Sequence, residues 1–359
     1  MRQIDNPNLD DSQVYKQYDP EGMLIHLHKM PQLCQQAWRM AMKFDLPQDY
    51  SKVSEVVMLG MGGSAIGGDL ASNLVTSEAK LPIIIHRDYN LPAFIDSKTL
   101  VIVSSYSGMT EETLSSFEQA LETDSKKLVI TTGGKLKAMA EERNIPVFSF
   151  NYKAQPRAAL PFSFLPILGF LQRLSFIKDK SADVAETVAA LEKLSRRIKE
   201  SALLSQNPAK QLASRLYGHL PIIYGANVLS EVTHRWKTQL NENSKAWAFY
   251  EVFPELNHNA VVGYQFPPEL VSKIMVVLLR SAYLPKRIQL RYQVTCRLLE
   301  QAKASYQIVG GEGTSPLSQI MSLVLLGDYI SCYLAILYKI DPSPVKAIEY
   351  LKEQLKNAK

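Results

Sequence analysis

The sequence predicts an α/β protein of two tandem domains, each a doubly wound parallel sheet flanked by helices. Three observations carry this reading. Short, uninterrupted apolar runs recur in both halves of the chain. Helical patterns fill the gaps between several of them, as parallel strands covered on both faces require. A glycine-rich turn follows the first run and a serine-rich turn follows the third, each where a strand hands over to a helix.

In chain order, residues 1 to about 50 read as polar helices. Met23, Leu24, His26, Leu27 and Met30 form an apolar face that Ala37, Met40 and Met42 extend. Five strands are then expected, at Val56–Leu59, Ile83–Ile85, Leu100–Val103, Leu128–Ile130 and Pro146–Phe148. Residues 156 to 215 are mostly helical, with a polar stretch at Lys178–Asp183. A second α/β series follows, with strands at Pro221–Tyr224, Ile274–Leu279 and Tyr306–Val309. Val228, Val232, Trp236 and Leu240 recur every four residues and place a helix there. Gln319–Tyr338 is a long buried helix that Asp341-Pro342 stops, and a final helix runs from Val345. The expected division is residues 1–155 for the N-terminal helices and first domain, 156–200 for a helical connector, and 201–359 for the second domain with the C-terminal helices.

Composition narrows the function. At 359 residues, 46% hydrophobic and 21% charged, the chain has the make-up of a globular protein. A formal charge of +5, spread along the chain, suits an anionic small substrate and forms no nucleic-acid stripe. Cys34, Cys296 and Cys332 lie far apart, so neither a zinc site nor a disulfide framework is expected. The polar N-terminus, MRQIDNPNLDD, does not read as a signal peptide, and Ile274–Leu279 is too short to span a bilayer. A cytoplasmic protein with no membrane and no nucleic-acid partner is expected.

The chemistry begins at Gly60-Met61-Gly62-Gly63-Ser64-Ala65-Ile66-Gly67-Gly68-Asp69. Glycines let the backbone approach a ligand, and free N–H groups at the helix start point at an anion, so Gly62, Gly63 and Ser64 are candidate phosphate ligands. The spacing approaches a dinucleotide fingerprint, but His86 and Arg87 precede Asp88 where its acidic residue belongs. A tightly packed turn is the plainer alternative. The second segment, Ser104-Ser105-Tyr106-Ser107-Gly108-Met109-Thr110-Glu111-Glu112-Thr113, sets three hydroxyls, those of Ser105, Ser107 and Thr110, around a helix start. One would serve as an N-cap; three favour phosphate.

Together, GMGGSAIGGD and SYSGMTEET resemble the sugar isomerase (SIS) domain of phosphosugar isomerases. The pair is similar to the bifunctional phosphoglucose/phosphomannose isomerase family over nearly the whole chain. Three further segments share the likeness: Pro156-Arg157-Ala158-Ala159-Leu160, Arg235 through Lys245, and Pro254-Glu255-Leu256-Asn257-His258-Asn259. Met109, Pro161 and Ala260 depart from that family's usual Asn, Gly and acidic residue. The resemblance implies two tandem SIS domains with five-stranded parallel sheets, a small-molecule sugar phosphate as substrate, and no metal or organic cofactor. It implies a homodimer with shared active sites. It makes Glu242 the base, His258 the ring-opening residue and Arg157 the stabiliser of the intermediate, with Lys352 facing the substrate.

Those roles have physical sense. Isomerisation between C1 and C2 moves one proton through an enediolate, which one carboxylate can carry. A cyclic sugar needs a proton donor at its ring oxygen, and histidine suits this near neutral pH. An arginine offsets enediolate charge. Glu242 and Lys352 could equally be exposed helix residues, and Arg157 a phosphate anchor or salt-bridge partner. Two rival functions remain: an aminosugar-phosphate isomerase or deaminase on this fold, and a non-catalytic phosphosugar sensor. No helix-turn-helix pattern precedes residue 50 to serve a sensor's output.

Overall fold

A computed structural model describes residues 7–358. The helical expectation for residues 1–6 lies outside the described residues. Helices α1 (Ser12–Tyr18), α2 (Met23–His28) and α3 (Met30–Lys43) open the chain. Asp11 caps α1 by accepting from the Gln13 N–H, and the buried Leu24, Leu27, Leu33 and Ala37 are the apolar face that the periodicity marks.

The first sheet holds β1 (Glu55–Gly60), β2 (Ile83–His86), β3 (Thr99–Ser105), β4 (Lys126–Thr131) and β5 (Val147–Ser149). Every pairing is parallel, in the order β2-β1-β3-β4-β5. All five expected strands form. Between them run α4 (Gly62–Val75), α5 (Glu111–Leu121) and α6 (Gly134–Glu142). β3 is buried along its whole length, so its continuous apolar run reflects cover on both faces.

Helices α7 (Leu160–Arg173), α8 (Ser181–Ile198) and α9 (Pro208–Leu216) form the expected helical region. The second sheet contains β6 (Leu220–Ala226), β7 (Phe249–Phe253), β8 (Ile274–Arg280) and β9 (Ser305–Gly310), all parallel, in the order β7-β6-β8-β9. Helices α10 (Ser230–Glu242), α11 (Pro268–Val271) and α12 (Lys286–Gln301) connect these strands. This sheet has four strands, one fewer than the resemblance implied. After β9 the chain enters α13 (Pro316–Leu337) directly, with no further helix–strand unit, and α14 (Lys346–Asn357) ends the described fold. β7 was not expected because Glu251 interrupts the apolar run of Phe249-Tyr250-Glu251-Val252-Phe253. It is an edge strand, buried only at its last residue.

α13 is long and apolar enough to cross a membrane, yet every residue of its most apolar window is buried within the protein. It packs against α8, α9 and α10 and joins the two halves through one core. At Gly327 a Cβ would stand 2.4 Å from Trp236 Nε1, so only glycine admits this approach of α13 to α10.

Candidate active site

The order β2-β1-β3 reverses direction between β1 and β3, and in open α/β sheets the crevice beyond such a point receives ligands. The two loops singled out in the sequence meet here. α4 starts at Gly62, whose φ of 50° is left-handed; a Cβ there would touch nothing within 4 Å. At Gly63 a Cβ would lie 3.4 Å from the Pro156 carbonyl carbon and 3.5 Å from Arg157 Cα, so the loop abuts the arginine segment. Ser64 Oγ accepts from the Tyr106 N–H at 3.1 Å and ties the two loops together.

Beyond β3, Ser105 Oγ and Thr110 Oγ1 share a hydrogen bond of 2.9 Å, and Ser105 Oγ accepts from the Gly108 N–H. Ser107 is exposed, and its Oγ accepts from the Met109 N–H. Thr110 holds the N-cap position of α5 without making a capping bond, and no side chain caps α4. Two uncapped helix starts therefore lie side by side at the switch point, the arrangement that can receive an anion. Arg87, after β2, pairs with Asp69 of α4, so a cation stands where a dinucleotide site would place its acid.

Arg157 lies on the 3₁₀ turn Pro156–Ala159 and is 2% exposed. Its Nε donates to Asn243 Oδ1 at 2.6 Å, and Nη2 donates to the carbonyls of Pro342 and Ser343 at 2.7 and 2.8 Å. Nη1 reaches Glu242 Oε2 at 3.3 Å. Burial draws the Arg157 pKa down, and the Glu242 carboxylate opposes that. Glu242 is the last residue of α10, where its side chain is partly exposed.

Supporting groups surround this pair. Arg235 Nη2 donates to the Arg157 carbonyl and to Asp328 Oδ2 at 2.7 Å, with Arg235 and Asp328 each 1% exposed. Burial raises the Asp328 pKa and Arg235 pulls it back. Lys245 has an exposed stem, but its Nζ turns inward and donates to the carbonyls of Glu242, Asn243, Asp341 and Pro342. Burial of that ammonium, then the nearby Arg157 charge, brings Lys245 down to about 8. Sequence reasoning assigned no role to Asn243, Lys245 or the Arg235–Asp328 pair. The signal for the last was a lone acid inside the otherwise apolar α13, which calls for a cationic partner.

A cavity of 480 Å³ opens beside Glu242, lined also by Lys245, Asp341 and the first turn of α14. The larger hollow of 1350 Å³ lies at the amino ends of the strands, along Asp45–Ser54, and holds none of the candidate residues. His258 sits apart. It is exposed on the 3₁₀ turn Glu255–His258 beyond β7, and among the described residues no hydrogen bond joins it to Arg157 or Glu242. Lys352 is exposed on α14, a helix with no buried residue. The other histidines have partners: His26 with Tyr152, His28 with Glu200, His86 with the Asn90 carbonyl, His219 with the Tyr217 carbonyl and His234 stacked on Tyr250.

The paired parallel sheets, with a glycine loop and a serine loop at one switch point, define a protein built of SIS domains. The model of the bacterial phospho-glucose isomerase C-terminal SIS domain matches residues 205–355. The chain belongs to the bifunctional phosphoglucose/phosphomannose isomerase family. It is 41% identical to a member from Caldicellulosiruptor bescii, over 94% of this chain and 100% of that one. It is 37% identical to a member from Aquifex aeolicus, over 87% and 93% of the two chains. In fold it is similar to the crystal structure of a hypothetical protein from Thermus thermophilus, with a TM-score of 0.72, 17% identity, and 96% and 92% of the two chains covered.

Proposed function

We propose that this enzyme interconverts glucose 6-phosphate, and mannose 6-phosphate as well, with fructose 6-phosphate. One observation carries the reading. Arg157 and Glu242, 85 residues apart in sequence, meet at 3.3 Å, and the backbone of Arg157 lies against Gly63 of the glycine loop. A phosphate in the crevice between Gly62–Ser64 and Ser105–Thr110 leaves the sugar's carbon chain to run toward Glu242. The carboxylate moves a proton between C1 and C2 through an enediolate, whose charge the Arg157 Nη1 edge offsets. The first domain (1–155) supplies the phosphate cradle, the connector (156–200) supplies Arg157, and the second domain (201–359) supplies the base.

His258 serves as the ring-opening acid in the site of a second subunit of a cytoplasmic homodimer. Its exposure, and that of Trp247, Phe249 and Phe266 around β7, favours this. On α14, Ile348, Leu351 and Leu355 are also exposed, and contact there with the partner brings Lys352 to the substrate. The test is a coupled assay for fructose 6-phosphate formed from each aldose phosphate. Turnover of both is expected; turnover of neither overturns the proposal.

A further inference from the structure

We infer that Asn243 is a positioning residue of the isomerisation, oriented by Ser331 and holding the Arg157 guanidinium with its Nη1 edge toward Glu242. This rests on the reading of Arg157 and Glu242 above.

Asn243 is fully buried at the C-cap of α10. The two ends of an amide differ only in which one donates, so its orientation must be argued from its partners. Here the partners decide it. Arginine has no acceptor, so the Nε–H, 2.6 Å from Asn243, needs the amide oxygen. Ser331 Oγ donates its hydrogen to the Asp328 carbonyl at 2.7 Å, and can therefore only accept from Asn243 Nδ2 at 2.8 Å. Both ends agree: oxygen toward Arg157, nitrogen toward Ser331. The Pro342 and Ser343 carbonyls take the Nη2 hydrogens. The guanidinium is thus held along two of its edges, and Nη1 is the edge presented to Glu242. Removing the Asn243 oxygen leaves a buried Nε–H without an acceptor, and the planar group turns to find one.

The test uses the full chain, with Asn243→Leu, Asn243→Asp and Ser331→Ala assayed singly and Asn243→Leu also combined with Arg157→Lys. Asn243→Leu is expected to lower kcat about 10- to 100-fold with KM within about twofold, because it disturbs a group acting in the transition state. Asn243→Asp, which keeps an acceptor for Nε, is expected to retain more activity. Ser331→Ala reaches the Arg157 guanidinium only through Asn243 and is expected to lower kcat by about three- to tenfold. In the Arg157→Lys background the Asn243→Leu factor is expected to fall to about twofold or less, since a residue acting through Arg157 has nothing left to position. The same factor in both backgrounds, or a raised KM with kcat intact, overturns the inference. Should Asn243→Leu not fold by circular dichroism, Ser331→Ala decides, and an unchanged kcat there is equally fatal. Glu242→Gln, run alongside, separates the two levels. An active Glu242→Gln removes the functional reading itself; an inactive one beside unaffected Asn243 and Ser331 variants removes only this inference.

Discussion

The two sheets share a strand order at their centres, yet their switch points are built for different ends. Beyond β1 the chain passes straight into α4 through Gly62, which is open on its outer side, and beyond β3 the helix α5 begins without a side-chain cap. Beyond β6 a 3₁₀ turn, Asn227–Leu229, intervenes before α10, and Leu229 is fully buried. At Gly225 a Cβ would stand 2.3 Å from Thr233 Cγ2, so this turn is packed shut. Beyond β8 the Ser281 hydroxyl donates to Gln319 Oε1 at 2.7 Å and is committed to the protein's own core. α10 and α12 also begin without a side-chain cap, so what sets the second domain apart is the packing at its turns, and in the proposed reaction it contributes Glu242 from the opposite end of α10. Topology thus sets where a ligand could sit, and side chains decide whether one does.

The sharpest break of this comparison is at the proposed base. Glu242→Gln should reduce kcat by about 10²–10⁴, the usual share of a positioned acid or base, with little change in KM. Refolding Glu242→Gln together with His258→Ala should restore activity well above either parent, because mixed dimers then carry one intact site. No recovery, with mixed dimers verified by mass, rules out sharing of sites between subunits.

The cradle comes next. Ser105→Ala and Thr110→Ala should each raise KM by roughly 10- to 100-fold, the loss of a hydrogen bond to a charged phosphate. Ser281→Ala, its counterpart in the second domain, should leave KM unchanged and lower the melting temperature. Equal KM effects at the two switch points would erase the distinction between them.

Packing between the halves gives a smaller effect. Gly327→Ala forces a methyl against the Trp236 indole and should cost about 1–3 kcal/mol, measured by urea unfolding.

The smallest effect is in pH. Burial raises Asp19 to about 6, opposed by the Leu24 and Met23 N–H groups, and burial raises Asp69 to about 6 against Arg87. A carboxyl that keeps its proton longer when folded than the ordinary 3.8 stabilises the fold most at low pH. Its contribution should be lost as pH rises from about 4 to about 6. Asp19→Asn should flatten this part of the urea-midpoint profile.

Much of this protein is legible in its sequence. The five runs of the first sheet are strands because each is a short, uninterrupted apolar run, and that pattern is local; β3 is buried along its whole length, while the edge strands β2 and β5 are mostly half-buried. The glycine and serine loops were legible for the same reason: a strand-to-helix turn is made by neighbours in sequence. β7 was not, because Glu251 interrupts its apolar run, and the paired strand β6 that holds it in place lies more than twenty residues earlier. The missing fifth strand of the second sheet was not, because a resemblance transfers an architecture without checking each unit. The proposed catalytic group is the extreme case. Sequence by itself named Arg157 and Glu242 through a family likeness, but their meeting, and the Asn243–Ser331–Asp328 chain behind it, come from α10 and α13 packing across Gly327. Contacts between residues 85 to 186 positions apart are decided by which side chains fill one shared core, a property of the whole chain that no local window contains.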